Sequence, residues 1–195
     1  MNLSPLDLKQ TALVLIDLQR GIVNLPTQPR PGIEAIQNAA KLIARFREAK
    51  ATVVLVRVTP SPDGLDALRP EADQPNKRGP FPPDWAEWTA EISPQPNDIV
   101  ITKRQWGAFY GTELDLQLRR RGAHRIVLGG IATHIGVEST ARVAFELGYQ
   151  QIFVEDAMAS LSAEAHAYAI SKIFPLIGQV RSTEDVLAAC AVSNK

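Results

Sequence analysis

Apolar residues recur along the chain in two rhythms, and the alternation between them predicts the architecture. Residues 11–17 (TALVLID) form a short unbroken apolar run that ends in a carboxylate, the pattern of a strand buried on both faces of a parallel sheet. Runs of the same kind follow at 52–58, 98–103, 125–129 and 151–154, with a weaker one at 178–181. Between them Ile33, Ile36, Ala40, Ile43 and Phe46 recur at helical spacing, as do Leu114 and Leu118, then Val137, Ala141 and Ala144. Gly122 and Gly148 stand where two of these helices should stop, since glycine takes the left-handed helix-ending conformation at little cost. Ser182, three residues before Asp185, makes a variant capping box ahead of Val186 and Leu187.

Strand and helix alternate throughout, which predicts right-handed βαβ units. The expected fold is α/β: a three-layer α/β/α sandwich around a central, mainly parallel six-stranded sheet. A length of 195 residues suits one domain spanning 1–195. The rhythm breaks over 59–97, which holds nine of the fourteen prolines together with Trp85 and Trp88. Such proline density is stiff, so the stretch reads as a lid or interface segment within the domain and not as a flexible linker.

Composition then narrows the partners. Lys plus Arg and Asp plus Glu both number 21, so no net field draws the chain to nucleic acid or an anionic membrane. Small molecules and other protein chains remain. The single cysteine, Cys190, allows no intrachain disulfide and no thiol cluster for zinc, which suits a reducing compartment. Residues 1–9 lack a basic-then-apolar leader, and no apolar run nears the ~20 residues that span a bilayer. The cytosol is the expected location.

In open α/β sheets ligands bind outside the carboxyl ends of the strands, which singles out three places. Asp17 ends the first run, Lys103 ends the third, and the turn 129–136 (GGIATHIG) leads from the fourth into its helix. Each has a bland reading: a cap, a solvated strand end, a tight turn. Together on one edge they suggest chemistry, because a carboxylate beside an ammonium is held oriented and the N–H groups of a helix start favour developing negative charge.

The stretches 12–19 (ALVLIDLQ), 103–114 (KRQWGAFYGTEL) and 130–141 (GIATHIGVESTA) resemble the isochorismatase-like, or cysteine hydrolase, superfamily in order and spacing over nearly the whole chain. They are similar in particular to an uncharacterised bacterial branch. The resemblance implies a Rossmann-like hydrolase fold with Asp17 and Lys103 in a catalytic triad, and Gly136 where most relatives carry the nucleophilic cysteine. It implies an oxyanion site at the backbone N–H groups of Ala132 and Gly136, and a cis peptide at Ile131–Ala132. Gln19, Trp106, Phe109, Thr133 and His134 become substrate-contact candidates, and a homo-oligomer is expected. Ser139 and Thr140, a turn beyond Gly136, are poor substitutes for the missing sulfur.

True isochorismatases also carry glycine at this place, within the same His-Ile-Gly run. They use the aspartate as a general acid on an enol-ether carbon, and water captures the resulting cation. Two departures weigh against isochorismate itself. A tyrosine of those enzymes corresponds to Ala132, and their glutamine and arginine after the second strand find no match in 59–63. Arg57, Arg69 and Arg104 are left as candidates to hold an acidic substrate. Nicotinamidase relatives bind a metal through an aspartate and histidines after the second strand, and that segment here has no histidine. No metal and no cofactor are expected. His124 belongs to a surface turn, His166 to a helix, and only His134 lies near the site. Trp106, Phe109 and Tyr110 can wall a pocket, form a subunit contact or fill the core. Two functions stay open: a hydrolase using Asp17 assisted by Lys103, with a vinyl ether as a candidate substrate, or an inactive small-molecule-binding or assembly protein that retains the fold.

Overall fold

The computed structural model describes residues 3–73 and 81–191. Its strands are β1 (Thr11–Ile16), β2 (Thr52–Val58), β3 (Ile99–Lys103), β4 (Arg125–Ile131), β5 (Gln150–Ala159) and β6 (Gln179–Arg181). Its helices are α1 (Arg20–Val23), α2 (Gly32–Glu48), α3 (Leu114–Arg120), α4 (Glu138–Glu146), α5 (Ala163–Tyr168), α6 (Phe174–Ile177) and α7 (Thr183–Ala191). The strands form one sheet in the order β3-β2-β1-β4-β5-β6, and every neighbouring pair is parallel.

β1 is central, and all six of its residues are buried, which is why it reads as an unbroken apolar run. Its side chains alternate between two cores. Leu13 and Leu15 join Ala35, Ile36, Ala39, Leu42, Ile43 and Phe46 of α2, while Ala12, Val14 and Ile16 join Leu114, Leu118, Val137, Ala141 and Ala144 on the other face. These two cores make the three layers. The stripe of α2 runs through Ala39, and Ile33 at its start is 46% exposed. Both expected helix stops occur: Gly122 and Gly148 have φ of 69° and 82°, with Ala123 N–H and Tyr149 N–H reaching back to the carbonyls of Leu118 and Ala144. Ser182 and Asp185 exchange backbone-to-side-chain bonds of 3.0 and 3.1 Å at the start of α7.

β5 is longer than its apolar run because Glu155 and Asp156 are satisfied within the fold. Glu155 pairs with Arg30 at 2.8 Å, and Asp156 accepts from the N–H and hydroxyl of Thr183 at 2.8 and 2.7 Å. Of the proline-rich stretch, the described part packs against its own chain. Trp85 and Ile92 are buried in the α2-side core. Among the described residues no helix is long and apolar enough to cross a membrane.

Candidate active site

The chain runs outward from β1 through β2 to β3 on one side, and from β4 through β5 to β6 on the other. The loops leaving β1 and β4 therefore diverge and open a crevice at their carboxyl ends. Asp17, the first residue after β1, sits in that crevice. Its φ is 54°, a left-handed conformation that costs roughly 1–3 kcal/mol in a non-glycine residue and persists only where the surroundings hold it. Its N–H donates to the Val56 carbonyl at 2.8 Å, which aims the carboxyl into the crevice floor.

Lys103 ends β3, two strands away, a distance of about 10 Å at the usual strand spacing. Its long side chain crosses the end of β2, and Nζ donates to Asp17 Oδ2 at 2.7 Å. The same Nζ donates to the carbonyls of Gln105 at 3.1 Å and Trp106 at 2.8 Å. An ammonium has three N–H groups, so all are in use. Both residues are buried, Asp17 at 5% exposure and Lys103 at 2%. Asp17 Oδ1 is buried without a hydrogen-bond partner among the described residues. Burial pushes the Asp17 carboxyl up to about 6, against the lowering effect of Lys103.

The opposite side of the crevice is the turn from β4 into α4. The Ile131–Ala132 peptide is cis, and Thr133–Val137 forms a π-helical turn. Gly136 faces Asp17 closely: a Cβ there would lie 3.0 Å from Ile16 Cγ2, 3.1 Å from Asp17 Oδ2 and 3.4 Å from the Trp106 carbonyl oxygen. Thr140 clamps this turn to the loop after β3. Its hydroxyl donates to the Gly136 carbonyl at 2.7 Å and accepts from Ala108 N–H at 3.1 Å.

A cleft of about 600 Å³ opens over these groups, lined by Asp17, Lys103, Ala132, Ile135, Gly136 and Trp106 on the strand-end side and by residues of 59–73 and 81–85 above. Of the proposed substrate contacts, only Trp106 lines it. Gln19 is fully buried, donating to the carbonyls of Val58 and Trp85 at 3.0 and 2.9 Å and accepting from Val58 N–H at 2.8 Å. It is a cross-link beneath the cleft wall. Phe109 is buried in the core beside Tyr149, with ring centroids 5.8 Å apart, whereas Tyr110 is largely exposed. Thr133 is buried and its hydroxyl bonds the Ala159 carbonyl at 3.0 Å and His166 Nδ1 at 2.8 Å. His134 turns to Ser160 Oγ at 2.5 Å. Of the three arginines, Arg104 alone borders the cleft. Arg57 holds Thr102 Oγ1 at 3.2 Å, and Arg69 contacts the Gly64 carbonyl at 3.4 Å.

An isochorismatase domain model matches residues 11–185. The chain belongs to the isochorismatase family. It is 52% identical to the isochorismatase family protein YwoC of Bacillus subtilis, over 96% of this chain and 97% of that one. The structure of an isochorismatase family protein from Burkholderia thailandensis matches with a TM-score of 0.92 at 46% identity, covering 97% of this chain and 99% of the other. The ureidoacrylate amidohydrolase RutB of Variovorax paradoxus is 31% identical over 93% of this chain and 81% of its own length.

Within this isochorismatase-family site, the residue that sequence reading missed is His166. It lies on α5 as expected, yet it is buried at 3% exposure, bonding Thr133 through Nδ1 and facing Glu155 Oε1 at 3.4 Å through Nε2. Hydrogen bonds from His166 and Arg30 hold the Glu155 carboxyl down to about 2. The network Arg30–Glu155–His166–Thr133 thus pins the turn after the cis peptide from behind. Only its spacing from Thr133, 33 residues along the chain, hid it.

Proposed function

We propose that this isochorismatase-family chain is a hydrolase acting on a small molecule without a cysteine nucleophile, with Asp17 as the proton donor and acceptor. The observation that carries this reading is that Asp17 lines the cleft while its Oδ1 is buried with no hydrogen-bond partner among the described residues. An uncompensated buried polar atom costs about 1–3 kcal/mol, and it costs less when a ligand supplies the partner. Lys103 fixes Oδ2 and leaves Oδ1 as the reacting oxygen.

By the resemblance of 130–141, Gly136 stands at the cysteine position of the amidase relatives, so no thioester forms there. A vinyl ether needs no such nucleophile. Asp17 donates its proton to the terminal alkene carbon, and the developing oxocarbenium ion is captured by water at the ether-bearing carbon. Water's proton returns to Asp17, and the hemiketal collapses to a carbonyl compound and an alcohol. Ala132 and Gly136 line the cleft, and by the same resemblance their backbone N–H groups would bind the oxygen of such an intermediate.

The test is turnover of isochorismate and a panel of simpler vinyl ethers by wild type and Asp17→Asn. The variant is expected to lose on the order of a hundred- to ten-thousand-fold in rate. Because the raised carboxyl keeps its proton up to about pH 6, kcat/KM should be level below that pH and fall about tenfold per unit above it. Equal rates for the two proteins would remove Asp17 from the mechanism. Tight binding across the panel with no turnover would support the binding or assembly protein instead.

A further inference from the structure

Among the described residues, the charged side chains lining the cleft are Asp17, Lys103 and Arg104. Both cations are already engaged. Lys103 has its three N–H groups on Asp17 Oδ2 and the carbonyls of Gln105 and Trp106. Arg104 donates from Nε to Asp66 Oδ2 at 2.5 Å and from Nη1 to the Thr59 carbonyl at 2.6 Å. Asp66 is fixed in turn: its Oδ1 accepts from the N–H and the hydroxyl of Ser61 at 2.6 and 2.9 Å. Those bonds, led by the Ser61 N–H, hold its carboxyl down to about 2, so it faces Arg104 as an anion. Apart from Thr59 and Gln105, the rest of the described wall is mostly apolar, with Ile22, Leu25, Leu68, Phe81 and Leu161 prominent.

A carboxylate entering such a cleft loses its water and gains little in return, since the charge of each cation it would meet is already countered by a bonded carboxylate, Lys103 by Asp17 and Arg104 by Asp66. An apolar body gains by burial along the whole wall. We infer that the site selects a small molecule with an apolar body and no net negative charge, and that Asp66 sets this preference by neutralising Arg104. The inference rests on the cleft being the substrate site of the proposed hydrolase. It places doubly anionic substrates such as isochorismate outside the preferred class. Asp66 touches neither Asp17 nor Lys103 in any hydrogen bond of the site, and acts on specificity through Arg104.

Calorimetric binding to the full chain separates the possibilities, using aryl amides and aryl carboxylates of matched shape. Wild type should bind the amides at least about tenfold more tightly, a factor equal to one clear charge-pairing difference. In Asp66→Asn the freed guanidinium can fork onto a carboxylate, so carboxylate affinity should rise about tenfold while amide affinity stays level. Adding Arg104→Gln to that variant should abolish the gain. Equal affinity for both series in wild type, an unchanged ratio in Asp66→Asn, or binding of neither series would overturn the inference. The readout needs no turnover. A protein that binds amides selectively but hydrolyses nothing keeps this inference and loses the hydrolase reading.

Discussion

Carbon atoms in ordinary contact lie about 3.5–4.0 Å apart, and a Cβ on Gly136 would come inside that distance from both Ile16 and the Asp17 oxygen that Lys103 holds. Position 136 is therefore filled from outside by the groups the proposed chemistry uses. Gly136→Ala is expected to push Asp17 off Lys103 and lower kcat on vinyl ethers about tenfold, with overpacking costing roughly 1–3 kcal/mol of stability. Gly136→Cys should show the same loss and gain no amidase activity. Steady-state kinetics and urea melts measure both; wild-type kinetics in the alanine variant would reduce the glycine to a turn residue. Asp17 and Lys103 were legible as residues because each ends an apolar run. That Oδ1 is the unpartnered oxygen was not, since it depends on which way Lys103 approaches. Gln19 was misread for a similar reason: its amide is two residues from Asp17 in sequence, but the turn buries it under Trp85.

At the scale of elements, the central strands and the helical stripes could be read because burial on one or both faces writes itself into the spacing of apolar residues. β5 could not be read to its end, because Glu155 and Asp156 look like a strand stop until Arg30, His166 and Thr183 are seen to satisfy them. Thr140 is the element-scale feature with a measurable consequence. It joins the start of α4 to the loop whose carbonyls hold Lys103, through Gly136 O on one side and Ala108 N–H on the other. Thr140→Val keeps the shape and removes the hydroxyl, leaving the Ala108 N–H buried and unpaired at a cost of about 1–3 kcal/mol. Loosening the Gln105–Trp106 carbonyls should also lower kcat more than it changes KM, and shift the pH at which activity falls. Thr140→Ser should rescue both. A stability loss with an unmoved pH profile would show a clamp that holds the fold but not the site.

For the molecule as a whole, the strand order 3-2-1-4-5-6 is what no local pattern states, and it is what brings residues 17, 103 and 131–136 to one crevice. The same holds for the proline-rich stretch. Its stiffness was visible in composition, whereas the place of its described part as a wall over the cleft of its own chain depends on a few long-range ties. Gln19 makes the central one, linking the end of β2 to the Trp85 carbonyl, while Trp85 Nε1 donates to Val58 O at 3.1 Å and its ring covers Gly21. Gln19→Met preserves volume but strands the Val58 N–H, at a cost of about 1–3 kcal/mol for a donor left unpaired in the interior, and takes one of two donors from the Trp85 carbonyl, which keeps the Gly21 N–H at 3.1 Å. The expected outcome is a lower urea midpoint, faster proteolysis within 59–97, and a KM raised severalfold with kcat nearly kept, because the wall loosens while Asp17 and Lys103 stay in place. If stability falls but KM does not move, the segment braces the fold without shaping what the cleft binds.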